Sequence, residues 1–179
     1  YIPILTTLIS AWFCVELFKH YQSKAEAKYI LWWFLGVLFY GIGTLIESSV
    51  SLLGWNVFLF KSWYIFGAFL GGLPLALGTA HLLWKAKNAQ RATWISISVV
   101  VLASILVILS PINSDLVESH RLSGKVIEWS KIRLISPFIN IFAFILLVGG
   151  AIQSAVYYFK KKTEYNLFIG NVFIAVGGT

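Results

Sequence analysis

The sequence predicts an all-α, polytopic helical membrane bundle, and three observations carry that prediction. Only 12% of the 179 residues are charged and 59% are hydrophobic, where a soluble domain carries about 25% charged residues. Uncharged runs long enough to cross hydrocarbon recur along the chain. One of them, Trp63–Trp84, reads WYIFGAFLGGLPLALGTAHLLW and holds no Asp, Glu, Lys or Arg. Its 21 helical steps cover roughly 32 Å, about one bilayer core. Six spans in a single domain are expected, with no separate catalytic module. The chain begins at Tyr1, lacks Met and stops at Gly177-Gly178-Thr179 inside an apolar run. It therefore reads as a fragment whose sixth span is cut short.

The first span is expected from Tyr1 to Phe18, followed by Lys19, His20, Lys24 and Lys28 in a polar connection. The second runs from Tyr29 to Leu53 and closes before the turn-like Gly54-Trp55-Asn56. The third, Trp63–Trp84, is the central post. At 100° per residue Gly67, Gly71, Pro74, Gly78 and His81 share one face, bare of side chains until His81, which other helices can approach closely. The fourth span runs from Trp94 to Ser110. Its Val and Ile do not oppose a helix, because a spanning segment must satisfy its own backbone. Residues 111–133 form the only long polar segment, expected as a hairpin or amphipathic cap with a turn at Ser123-Gly124. The fifth span runs from Leu134 to Phe159, ends in Lys160-Lys161-Lys162, and the sixth starts near Leu167.

Charge placement predicts orientation. Lys19, Lys24, Lys28, Lys85, Lys87, Arg91, Lys160, Lys161 and Lys162 fall on one side, and Lys61, Arg121, Lys125, Lys131 and Arg133 on the other. Positive-inside bias makes the first side cytoplasmic and leaves the N-terminus and the 111–133 cap outside. The same bias accounts for the net charge of +7 without nucleic acid, which is excluded as a partner. Cys14 is the only cysteine and no Asn-x-Ser/Thr sequon occurs, which fits a prokaryotic cytoplasmic membrane. The expected partners are the lipid bilayer and other membrane subunits.

An offset of 134 residues aligns Pro3 with Pro137 and Lys28 with Lys162. It also aligns Phe34, Gly36, Phe39 and Gly43 with Phe168, Gly170, Phe173 and Gly177. Taken as a repeat, this implies seven helices in a 3+1+3 layout with parallel halves. That layout resembles the SWEET and PQ-loop sugar and amino-acid carriers. Pro3 is followed by Ile4 and Pro137 by Phe138, so the Pro-Gln signature is absent and no ligand-binding residue carries over.

Candidate site residues are the polar groups on small-residue faces. Gly36, Tyr40, Gly43 and Glu47 share a face of the second span, and Ser136, Asn140, Ala143, Gly150 and Ser154 a face of the fifth. His81 offers a group that titrates near neutral pH. Tyr40, His81, Asn140 and Glu47 are the expected ligand-binding set, with tight helix packing as the structural alternative. Glu16 is expected to pair with His20 one turn on. No metal-ligand set, nucleophile–base pair or phosphate loop appears, and no second buried His completes a haem site. The sequence thus predicts no catalytic residue and names no cofactor. It points to a small-solute carrier or ligand-binding bundle, with a non-catalytic subunit of a larger assembly as the alternative.

Overall fold

The computed structural model describes residues 2–24, 26–161 and 164–178 and is an all-α bundle. Helix α1 spans Ile2–Ser23, α2 Lys28–Leu53, α3 Val57–Trp63, α4 Leu73–Leu83, α5 Ala86–Leu109, α6 Ile135–Lys161 and α7 Tyr165–Gly177. Five helical stretches are long and apolar enough to cross a membrane, with α3 and α4 counted together, and α7 is a shorter apolar helix. Tyr1, Lys162 and Thr179, which entered the expectations above, lie outside the described residues.

The post begins six residues before the expected Trp63. Asn56 caps α3 by accepting a hydrogen bond from the Leu59 N–H at 2.8 Å, so the polar turn residue starts the helix. The post is also not one regular helix. Tyr64–Phe69 is wound as a π-helix, and the Leu70 N–H donates to the Ile65 carbonyl five residues back at 3.0 Å. A turn at 70–72 follows, and α4 restarts with Pro74 in its first turn. Proline cannot donate to residue i−4 and its ring crowds that carbonyl, so a helix breaks ahead of it and restarts at it. The 100° wheel slips at this point: of the expected face, Gly67, Gly78 and His81 still meet α2, while Gly71 turns onto its own backbone.

Helix α2 meets both halves of the post. A Cβ on Gly78 would run into the Trp33 ring of α2, and one on Gly36 would meet the Leu75 side chain of α4 at 2.5 Å. At Gly43 a Cβ would lie 3.2 Å from Gly67 Cα. Here α2 and the post each lack a side chain where the other presents one, or backbone meets backbone. On the α6 side, Gly150 is filled by Thr79 of α4. A Cβ on Gly71 would touch no other helix first. It would lie 2.6 Å from the Gly67 carbonyl oxygen of its own wide turn. The offset partners of Gly36 and Gly43, Gly170 and Gly177, have nothing within 4 Å.

Helix α1 packs along α2 through small polar residues. Ser10 is buried against Gly41, and the Thr7 hydroxyl donates to that of Thr44 at 3.0 Å. Glu16 pairs with Lys19 at 2.9 Å rather than with His20, the i,i+3 partner being equally within reach on a helix. Helix α5 starts eight residues before the expected Trp94, so Lys87 and Arg91 lie in its first turns. It buries Ala89, Thr93, Val100, Ala103 and Val107, one small-residue seam.

The polar segment after α5 is a packed cap. It forms no hairpin ladder. Three 3-10 turns, Ser114–Leu116, Gly124–Val126 and Ser130–Leu134, are tied by single antiparallel bridges at Ile112–Ile127 and Glu118–Arg121. Val126, Ile127 and Ile132 enter the core beside Phe60 and Tyr64. Lys61 donates to the Ile108 and Ser110 carbonyls at 2.6 and 2.9 Å, which closes the C-terminus of α5. The cap shares its end of the bundle with the α2–α3 turn, where Gly54 (φ 92°) lies near Ser119. The other end carries the basic α1–α2, α4–α5 and α6–α7 connections.

Candidate functional site

The four residues singled out from sequence occupy four separate places. Asn140 lies on α6, its Nδ2 3.1 Å from the Ala68 carbonyl, 3.0 Å from the Ser136 carbonyl and 3.1 Å from Ser136 Oγ. The Ser136 hydroxyl donates to the same Ala68 carbonyl at 3.3 Å. Ala68 belongs to the π-helical stretch, so α6 supplies side-chain donors where the post's regular ladder is broken. Irregular backbone at membrane depth requires such partners.

His81 lies in the last turn of α4. Its Nε2 is 3.0 Å from the Thr93 hydroxyl of α5, and its ring stacks on Trp32 of α2 with centroids 6.2 Å apart. The imidazole thus ties three helices together at the basic end. Tyr40 is 45% exposed, and its hydroxyl has no hydrogen-bond partner among the described residues. Glu47 is half-buried near the cap end of α2, with no ion-pair partner among the described residues. The structure brings none of the four together, and none of them lines the grooves described below. Thr93, Trp32 and Ser136 complete two of these contacts. Thr93 was legible in principle, since it repeats with Ala89 and Val100 along the apolar seam of α5.

The open space lies elsewhere and has apolar walls. One groove of about 320 Å³ runs between α5 and α6, lined by Ile95, Ser96, Val99, Phe138 and Phe142, with Leu73 as its floor. A second, about 490 Å³, lies on the other side of α5 against α2, lined by Trp32, Phe39, Pro74, Leu77, Val101 and again Leu73. The two meet at Leu73, the residue on which α4 restarts. A third cavity of about 340 Å³ lies across the post, among α1, α2, α4, α6 and α7, where Gly150, Ser154 and Asn171 are wall residues. Asn171 is turned to its own helix, donating to the Leu167 carbonyl at 2.8 Å.

At the basic end the α5–α6 groove opens onto a shelf formed by Trp84, Lys85, Asn88 and Arg91. Ala92 and Ile95 line both the shelf and the groove. No group of three or more His, Cys, Asp or Glu side chains that could hold a metal occurs among the described residues. Arranged this way, the site can hold an elongated apolar body, and it places no reactive pair beside one. Set against known protein families, curated proteins and solved structures, the chain matches none.

Proposed function

We propose that this protein is a ligand-binding membrane bundle whose ligand is apolar over most of its length and enters sideways from the bilayer. The observation that carries this reading is the pair of apolar grooves flanking α5 and meeting at Leu73. A carrier of small polar solutes draws less support. His81 Nε2 is bonded to Thr93 and Asn140 Nδ2 to Ser136 and Ala68, and Tyr40 is 45% exposed and lines neither groove. In this reading the bundle crosses the membrane with its basic connections inside and its cap outside, as loop charge favours.

A photoreactive fatty-acyl probe tests the assignment on the purified, delipidated protein. Crosslinks are expected at Ile95, Ser96, Val99 and Phe138, and Ser96→Trp should suppress them. Labelling equally strong on the outward face of α1, at Leu5 and Trp12, and indifferent to Ser96→Trp would overturn it.

One observation favours the alternative, a non-catalytic subunit of a larger assembly. Ser10 is the single buried residue of α1, and Gly149 of α6 and Gly170 of α7 face open space. Purification as a monomer with unchanged stability would count against that reading.

A further inference from the structure

We propose that the occupant of the α5–α6 groove is an anionic lipid, its headgroup on the Lys85–Asn88–Arg91 shelf and one acyl chain between α5 and α6. This rests on the lateral-binding reading above and adds the chemical class of the ligand.

Three features of the structure converge on it. The shelf and the groove are one continuous surface, because Ala92 and Ile95 wall both. A molecule lying there meets cations at one end and hydrocarbon along the rest. The cations are uncompensated: the described residues form two ion pairs, Glu16–Lys19 and Glu118–Arg121, and neither involves Lys85 or Arg91. No Asp or Glu occurs anywhere from Ser48 to Ser114, so the helices around the shelf hold no acid to neutralise it. Lys61, the other cation of that stretch that contacts α5, is already committed to carbonyls at the cap end.

Dimensions agree with the chemistry. Lys85 and Val99 are 14 residues apart, roughly 21 Å along α5, enough to cover one leaflet of a ~30 Å hydrocarbon core. The groove, about 320 Å³, is at the small end of ligand sites and suits one chain rather than two. Trp84 lines the shelf, and an indole ring favours the headgroup level. Asn88 adds a neutral donor between the two charges.

Native mass spectrometry of the delipidated protein can compare phosphatidylglycerol with phosphatidylcholine of identical chains. The wild type should retain the anionic lipid in preference, on the order of thirtyfold for two surface cations. Lys85→Gln with Arg91→Gln should bring the two lipids near parity while both still bind. Each single substitution should remove part of the preference, and Lys87→Gln, on the same turn but off the shelf, should leave it intact. Ser96→Trp should abolish retention of both lipids, with thermal melts establishing that each variant is folded. Equal retention of the two lipids by the wild type, with Ser96→Trp still blocking both, overturns the headgroup assignment and leaves lateral binding standing. A preference that survives loss of Lys85 and Arg91 also overturns it. Retention unaffected by Ser96→Trp overturns the lateral reading and this assignment together.

Discussion

Asn140 reaches from α6 to the Ala68 carbonyl in the broken stretch of the post, and Ser136 donates to the same oxygen. Interhelical side-chain bonds in membranes average about 0.6 kcal/mol and reach about 1.7. Asn140→Ala should therefore lower stability within that range. Ser136→Ala combined with Asn140→Ala should cost less than the sum of the singles, since Asn140 Nδ2 also lies 3.1 Å from Ser136 Oγ and either single change already removes that contact; a thermal-melt cycle measures this, and strict additivity would mean that the bonds are independent. Glycine positions allow a sharper contrast. Gly78→Ala drives a methyl into Trp33 and should cost ~1–3 kcal/mol by overpacking, whereas Gly149→Ala meets open space and should change stability little. Equal melting temperatures for the two variants would mean that α2 does not close on α4. The sequence places Asn140 on the small-residue face of its span, where the structure leaves the residue exposed with its amide on Ala68 and Ser136. Its acceptor was not legible, since the Ala68 carbonyl is approachable only once the post unwinds.

At the scale of elements, the post shows how periodicity misleads, and α5 keeps a regular buried seam. A fixed 100° step assumes an unbroken helix, and Pro74 stood in the sequence as notice that the step fails. What the sequence could not convey is that the break spreads upstream into a π-helical segment at Tyr64–Phe69. Pro74→Ala returns a donor to position 74, and hydrogen exchange of the 70–75 amides should slow as the turn tightens. Unchanged exchange would assign the break to packing alone. On α5, Ala103 is 1% exposed and Leu102 63%. Ala103→Leu should destabilise by ~1–3 kcal/mol and Leu102→Ala should be close to neutral, read by thermal melts. The reverse order would mean that α5 presents the other face to the post.

For the whole molecule, the number and order of apolar helices follow from composition and run length, both properties of the solvent a segment can tolerate. Span ends were less legible: α5 begins at Ala86, because a helix can carry Lys87 and Arg91 beyond the hydrocarbon without interrupting its ladder. The candidate site was least legible. Polar residues on small faces promised a pocket, yet the open volume lies where Ala92, Ser96 and Val99 are too small to fill the space beside α5. Sidedness can be measured directly. With Cys14 replaced by Ser, Lys125→Cys should react with an impermeant maleimide from outside and Lys87→Cys only after permeabilisation; the opposite pattern would invert the orientation.

The sideways opening of the two grooves beside α5 changes the units in which their occupancy is reckoned. A molecule that reaches them by diffusing within a leaflet is never diluted into water, and its supply is a mole fraction of the bilayer. An intrinsic affinity near 1 mM, only about 4 kcal/mol, is then enough to fill such a groove. Titrations that dilute the detergent at fixed ligand-to-protein ratio would track that mole fraction, and an aqueous dissociation constant would describe the buffer more than the protein.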